Sequence, residues 1–113
     1  MCDVPFRAIL ESLVVTHAPG VRGAVFCDAE GERIDACCGE LAPYDLDIIG
    51  ASFAAVVESL HHGQQLRLVI DGDVIWIVTV DQGCYLVVCC RRGQDFACKA
   101  DLPSIAGALV AYM

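Results

Sequence analysis

The stretch QLRLVIDGDVIWIVTVDQGCYLVVCC, Gln65 to Cys90, decides the fold. Gln65 to Asp71 alternates, with Leu66, Leu68 and Ile70 on one side and Arg67 and Val69 on the other. A period of two with one apolar side is the pattern of a half-covered strand. Asp71-Gly72-Asp73 is a hairpin turn. Val74 to Val80 and Cys84 to Cys90 are apolar on both sides, with Asp81-Gln82-Gly83 turning between them. These residues predict a three-strand meander whose first strand is half exposed and whose other two are covered twice.

Working upstream, Pro43 to His62 predicts a long helix with a core stripe of Leu46, Ile49, Phe53, Val56, Val57 and Leu60, closed by Gly63. Before it, Arg22 to Asp28 is an apolar strand, Ala29-Glu30-Gly31 a turn, and Glu32 to Cys38 a second, alternating strand. Asp3 and Pro5 open a first helix, in which Phe6, Ile9, Leu10 and Leu13 recur at helical spacing until Pro19-Gly20. Downstream, Asp101 caps a last helix carrying Leu102, Ile105, Ala106, Leu109, Val110 and Met113 on one face.

Hairpins tie the first strand to the second, the third to the fourth, and the fourth to the fifth. The alternating second and third strands belong at edges, and the doubly apolar ones belong in the centre. One order meets every condition: 2-1-5-4-3, antiparallel. The reading is an α+β sandwich, with the long helix on one face of the sheet and the two terminal helices on the other.

The 113 residues suit a single domain, residues 1–113. Hydrophobic residues make up 57% and charged ones 19%, more apolar surface than so small a domain needs for its own core. That surplus points to an oligomer. The net charge of −8 argues against nucleic acid and against an anionic membrane surface. Met-Cys-Asp-Val-Pro-Phe-Arg lacks the basic start and apolar run of an export signal, so a soluble cytoplasmic protein is expected. In that compartment the eight cysteines read as reduced, small hydrophobes. Cys37-Cys38 and Cys89-Cys90 are adjacent on strands, point to opposite faces, and do not bridge within themselves.

The order helix-strand-strand-helix-strand-strand-strand-helix resembles the roadblock / dynein light chain family, as does the element Gly23-Ala24-Val25-Phe26-Cys27-Asp28-Ala29-Glu30-Gly31 with its hydrophobic–Asp–x–x–Gly signature. The likeness runs from about Val4 to Tyr112, and the sheet is of the longin-like and profilin-like kind. The resemblance implies a homodimer or heterodimer with another roadblock-type subunit, joined through the third strand and the long helices. Members serve as dynein light chains, as scaffolds holding small Ras-like GTPases, and in bacteria as GTPase-activating partners of gliding-motility GTPases. Two features depart from the family. Arg91 to Ala100 does not match its usual connection to the last helix, and the chain stops at Met113, without the extension some members carry.

The outer side of the long helix supports pairing independently. Ile48, Ala51, Ser52, Ala55, Glu58 and Ser59 lie opposite the core stripe, and only Glu58 is charged. The expected interface is therefore Ile48, Ala51, Ser52, Ala55 and Ser59, with Arg67 and Val69 from the third strand. Arg91, Arg92 and Lys99 concentrate three of the seven basic residues and form a candidate patch for an acidic partner.

Motifs of catalysis are missing. No Gly-x-x-x-x-Gly-Lys-Ser/Thr cradles a phosphate, and Gly50-Ala51-Ser52 sits inside a helix rather than at a nucleophile elbow. His17, His61 and His62 have no helical i, i+4 histidine partner, and Asp45, Asp47, Asp71 and Asp73 occupy helix-start and turn positions. No enzyme, metal or cofactor is expected. The leading functional expectation is a noncatalytic, dimeric regulator or scaffold of a small Ras-like GTPase. A structural light chain or assembly adaptor without a GTPase is the alternative, and a cysteine-based metal or redox protein a third.

Overall fold

A computed structural model describes residues 6–60, 64–81 and 83–113. The expected helix start at Asp3–Pro5, the helix end at His61–Gly63 and Gln82 of the last turn lie outside the described residues. The chain runs α1 (Phe6–Thr16), β1 (Val21–Cys27), β2 (Arg33–Cys37), α2 (Pro43–Ser52), α3 (Ala54–Val57), β3 (Gln65–Ile70), β4 (Asp73–Thr79), β5 (Tyr85–Arg91), α4 (Phe96–Lys99) and α5 (Leu102–Ala111).

The five strands form one antiparallel sheet in the order β2-β1-β5-β4-β3. This is the order derived from the hairpins and from the strands with two apolar faces. Val25 pairs with Ala36 on one side and Val87 on the other, and Trp76 with Arg67 and Val88. β1, β4 and β5 are buried nearly throughout, while β2 and β3 are partly exposed. Central strands lose water from both faces, so both sets of side chains must be apolar.

Two cores result, one on each face. Phe26, Trp76, Leu86, Val88 and Cys90 of the sheet pack with Leu10, Leu13 and Val14 of α1, Cys98 of α4, and Leu102 and Leu109 of α5. Phe6 meets Phe26 edge-on at 5.2 Å between ring centroids. On the opposite face Val25, Cys27, Ile75, Ile77, Tyr85 and Val87 pack with Leu46 and Val57 of α2 and α3. Each fully buried Leu, Val or Phe side chain contributes roughly 1.5–3 kcal/mol by leaving water.

The long helix differs from its expected form: it is interrupted. α2 ends at Ser52, Phe53 takes φ −105° and ψ 3°, and α3 resumes for four residues. Three hydrogen bonds converge there, two from the helix itself and one from the sheet. Phe53 N–H bonds the Gly50 carbonyl at 3.3 Å, a tighter i to i−3 turn. Ser52 Oγ donates to the Ile48 carbonyl at 2.7 Å. Tyr85 Oη, from the sheet, donates to the Gly50 carbonyl at 2.7 Å. The break also leaves Val56, expected in the core stripe, 36% exposed.

The Arg91–Ala100 connection holds the second difference, the short helix α4. It lies against the face shared with α1 and α5, and its Cys98 is fully buried there.

Candidate interaction surface

The Asp-x-x-Gly element fixes how the β1–β2 turn meets the broken helix. Asp28 Oδ1 accepts N–H bonds from Glu30 at 2.9 Å and Glu32 at 3.0 Å, and the Asp28 carbonyl accepts one from Gly31 at 3.0 Å. Gly31 sits at φ +87°, where an L side chain is strained, and a Cβ there would lie 3.2 Å from Cβ of Ala54. The turn is thus seated under the junction of α2 and α3.

Outward from that junction, Ile48, Ala51, Ser52, Ala55, Val56 and Ser59 are all exposed, and Glu58 is the charged residue among them. Ile48 is 48% exposed and Tyr44 is 73% exposed. Five expected interface residues, Ile48, Ala51, Ser52, Ala55 and Ser59, therefore share one solvent-facing side of α2, α3 and the turn after it. Lys and Glu normally dominate such a side. Here small and apolar side chains do.

β3 is an edge strand, bonded to β4 on one side only. Val69 and Ile70 at its end are 46% and 48% exposed, although the alternation placed Ile70 inward. Arg67 is engaged inside the molecule. Its Nε donates to Asp95 Oδ2 at 2.7 Å and its Nη2 to Oδ1 at 3.2 Å. Trp76 Nε1 donates to the same Oδ2 at 3.2 Å, and the Phe96 ring lies 4.6 Å from the guanidinium carbon. Asp95 is fully buried, and the hydrogen bond from Arg67 above all holds its pKa below the ordinary carboxylate value. Arg67 accordingly leans onto α4 and away from the open edge.

The three cations expected as a patch are tied to three different places. Arg91 binds the Glu40 carboxylate and donates to the Pro19 carbonyl at 3.2 Å. Arg92 reaches the Asp71 carbonyl at 3.5 Å. Lys99 stands over the Trp76 ring at 5.5 Å from its centroid. The sequence did not point to Asp95, which organises Arg67 and Trp76. Its one hint was an acid beside Phe96 and Cys98 in an otherwise polar connection.

A hollow on the α2 face is lined by Cys27, Gly31, Glu32, Arg33, Asp47 and Ala51. Burial pushes the Cys27 thiol up to about 11, so it stays protonated at neutral pH and is a poor nucleophile. Cys89 is likewise pushed up to about 11 by burial. Among the described residues, no group of three or more His, Cys, Asp or Glu side chains is placed to hold a metal ion. No described helix is long and apolar enough to cross a membrane.

No protein-family model matches the chain. No curated protein matches it either. Solved structures do. A Roadblock/LC7 domain from Streptomyces avermitilis superposes with a TM-score of 0.79 at 16% identity, over 94% of this chain and 95% of that one. Myxococcus xanthus MglB gives 0.78 at 14% identity, over 94% and 92%. The gliding protein MglB from Thermus thermophilus gives 0.77 at 15% identity, over 99% and 93%. The fold is that of the roadblock/LC7 domain, matched over nearly the whole of both chains.

Proposed function

We propose that this roadblock-type fold works by pairing: the chain forms a dimer, with itself or with another roadblock-type subunit, and serves as a noncatalytic regulator or scaffold of a small Ras-like GTPase. The observation that carries the reading is the outer side of α2 and α3. Ile48, Ala51, Ser52, Ala55, Val56 and Ser59 are exposed together, with Glu58 beside them and Asp45 one turn before Ile48 as the nearby charges. Small residues let two helices approach closely, and their burial needs no desolvation of Lys or Glu.

The β3 edge supports the same reading. Unpaired strand edges are normally protected by charge, and Arg67, the one charge on β3, is turned onto Asp95. That leaves an edge ready for strand addition by a second subunit. The likeness to MglB structures supports a GTPase as the client, with the dimer positioning groups that belong to the GTPase. Localisation in the cytoplasm and activation of GTP hydrolysis belong to this proposal.

Immobilised protein exposed to lysate of the source cells with GDP or with a nonhydrolysable GTP analogue tests it. Retention of a small GTPase with the analogue alone is the expected result. A partner set indifferent to nucleotide, or lacking a GTPase, favours the assembly-adaptor alternative.

A further inference from the structure

Cys90 on β5 and Cys98 on α4 are brought together by the connection that departs from the family pattern. Their Sγ atoms are 3.5 Å apart, both thiols are free, and both residues are fully buried. Cys98 Sγ also donates to the Asp95 carbonyl at 3.2 Å, which leaves its sulfur to accept the Cys90 S–H. A disulfide needs the sulfurs at about 2.05 Å, so the two must approach by roughly a further 1.5 Å for the bond to form.

We propose that Cys90 and Cys98 are a redox modification site, oxidised by peroxide to an intramolecular disulfide that latches α4 onto the sheet. The hydrogen bond from Cys90 favours the thiolate of Cys98 and disfavours that of Cys90, so Cys98 is the attacking sulfur. Cys98 displaces water from hydrogen peroxide and becomes a sulfenic acid. The Cys90 sulfur then attacks the Cys98 sulfur, the S–O bond breaks, and a second water leaves as the S–S bond forms. Two thiols and one peroxide become one disulfide and two waters. Reduction by a dithiol reverses the step.

Access comes through α4. It is four residues long, follows Gly93 at φ +87°, and exposes Phe96, Ala97 and Lys99, so it is a segment that opens locally. Once formed, the link pins the residue run that holds Arg67 and Trp76 through Asp95.

The test uses the wild-type protein. It is incubated with hydrogen peroxide, its remaining thiols are alkylated, and it is digested with trypsin and weighed. The expected product joins the peptide of residues 68–91 to that of residues 93–99, with fragmentation between Cys89 and Cys90 assigning the link to Cys90. Dithiothreitol separates the two peptides. The oxidised protein melts higher by about 5–10 °C, because a short loop has been closed in the unfolded chain. Recovery of both Cys90 and Cys98 as alkylated thiols overturns the proposal. So does a link from Cys98 to any other cysteine, or over-oxidation of Cys98 without a link.

Discussion

Asp95 shows how one buried carboxylate organises its surroundings. Arg67 and Trp76 both donate to it, so an amide in its place removes the charge that pairs with Arg67 and sets an N–H2 group where a carboxylate oxygen had accepted. Asp95→Asn is expected to lower stability at neutral pH by about 1–3 kcal/mol. The pH dependence has a definite sign. The folded protein holds the Asp95 pKa below its unfolded value, so the contribution is complete above the ordinary carboxylate pKa of about 3.9 and is lost as pH falls towards the folded value. Urea melts at stepped pH will therefore show the gap between wild type and Asp95→Asn narrowing on acidification. A constant gap would mean that the carboxylate charge plays no part. Tyr85 is a quieter case. Tyr85→Phe removes the donor to the Gly50 carbonyl and is expected to cost about 1 kcal/mol in the same melts.

Among the elements, α2 carries the clearest conflict between local preference and packing. Alanine is a better helix former than glycine by about 1 kcal/mol, so Gly50→Ala should help an isolated helix. In the folded chain the new Cβ would lie 2.7 Å from Cys27 Sγ and 3.3 Å from Val25 Cγ1. Overpacking wins, and thermal unfolding should show Gly50→Ala destabilised by about 1–3 kcal/mol. Adding Cys27→Ala makes room and should recover part of the loss. The same conflict limits what periodicity reveals. The strand order was legible because hairpins and two-faced apolarity are local signals, and the small-residue side of the helix could be read from spacing. The break at Phe53 could not, since one of the hydrogen bonds that meet there comes from the Tyr85 hydroxyl of β5. α4 was hidden for a similar reason. Four residues are too few to show a period, and Asp95 and Cys98 gain their meaning only from Arg67, Trp76 and Cys90 folded against them.

For the whole molecule, the proposed dimer brings together chains that each carry a net charge of −8. Ala55→Glu adds a charge on the exposed side of α3 and is expected to halve the solution mass measured by light scattering. An unchanged mass would exclude that side as the interface. Salt gives a second reading. An interface of small and apolar residues between like-charged subunits tightens as salt screens their repulsion, so sedimentation should show a lower dissociation constant at higher ionic strength. Weakening with salt would point instead to an interface built on ion pairs.

The central place of β5 between β1 and β4 also sets an order of events during synthesis. More than half of the chain separates Val25 of β1 from its partner Val87. While a ribosome makes the protein, β1 has left the exit tunnel, apolar on both sides, well before the strand that covers its open flank exists. The nascent amino-terminal half is therefore a period of exposure to aggregation that ends only when the last third emerges.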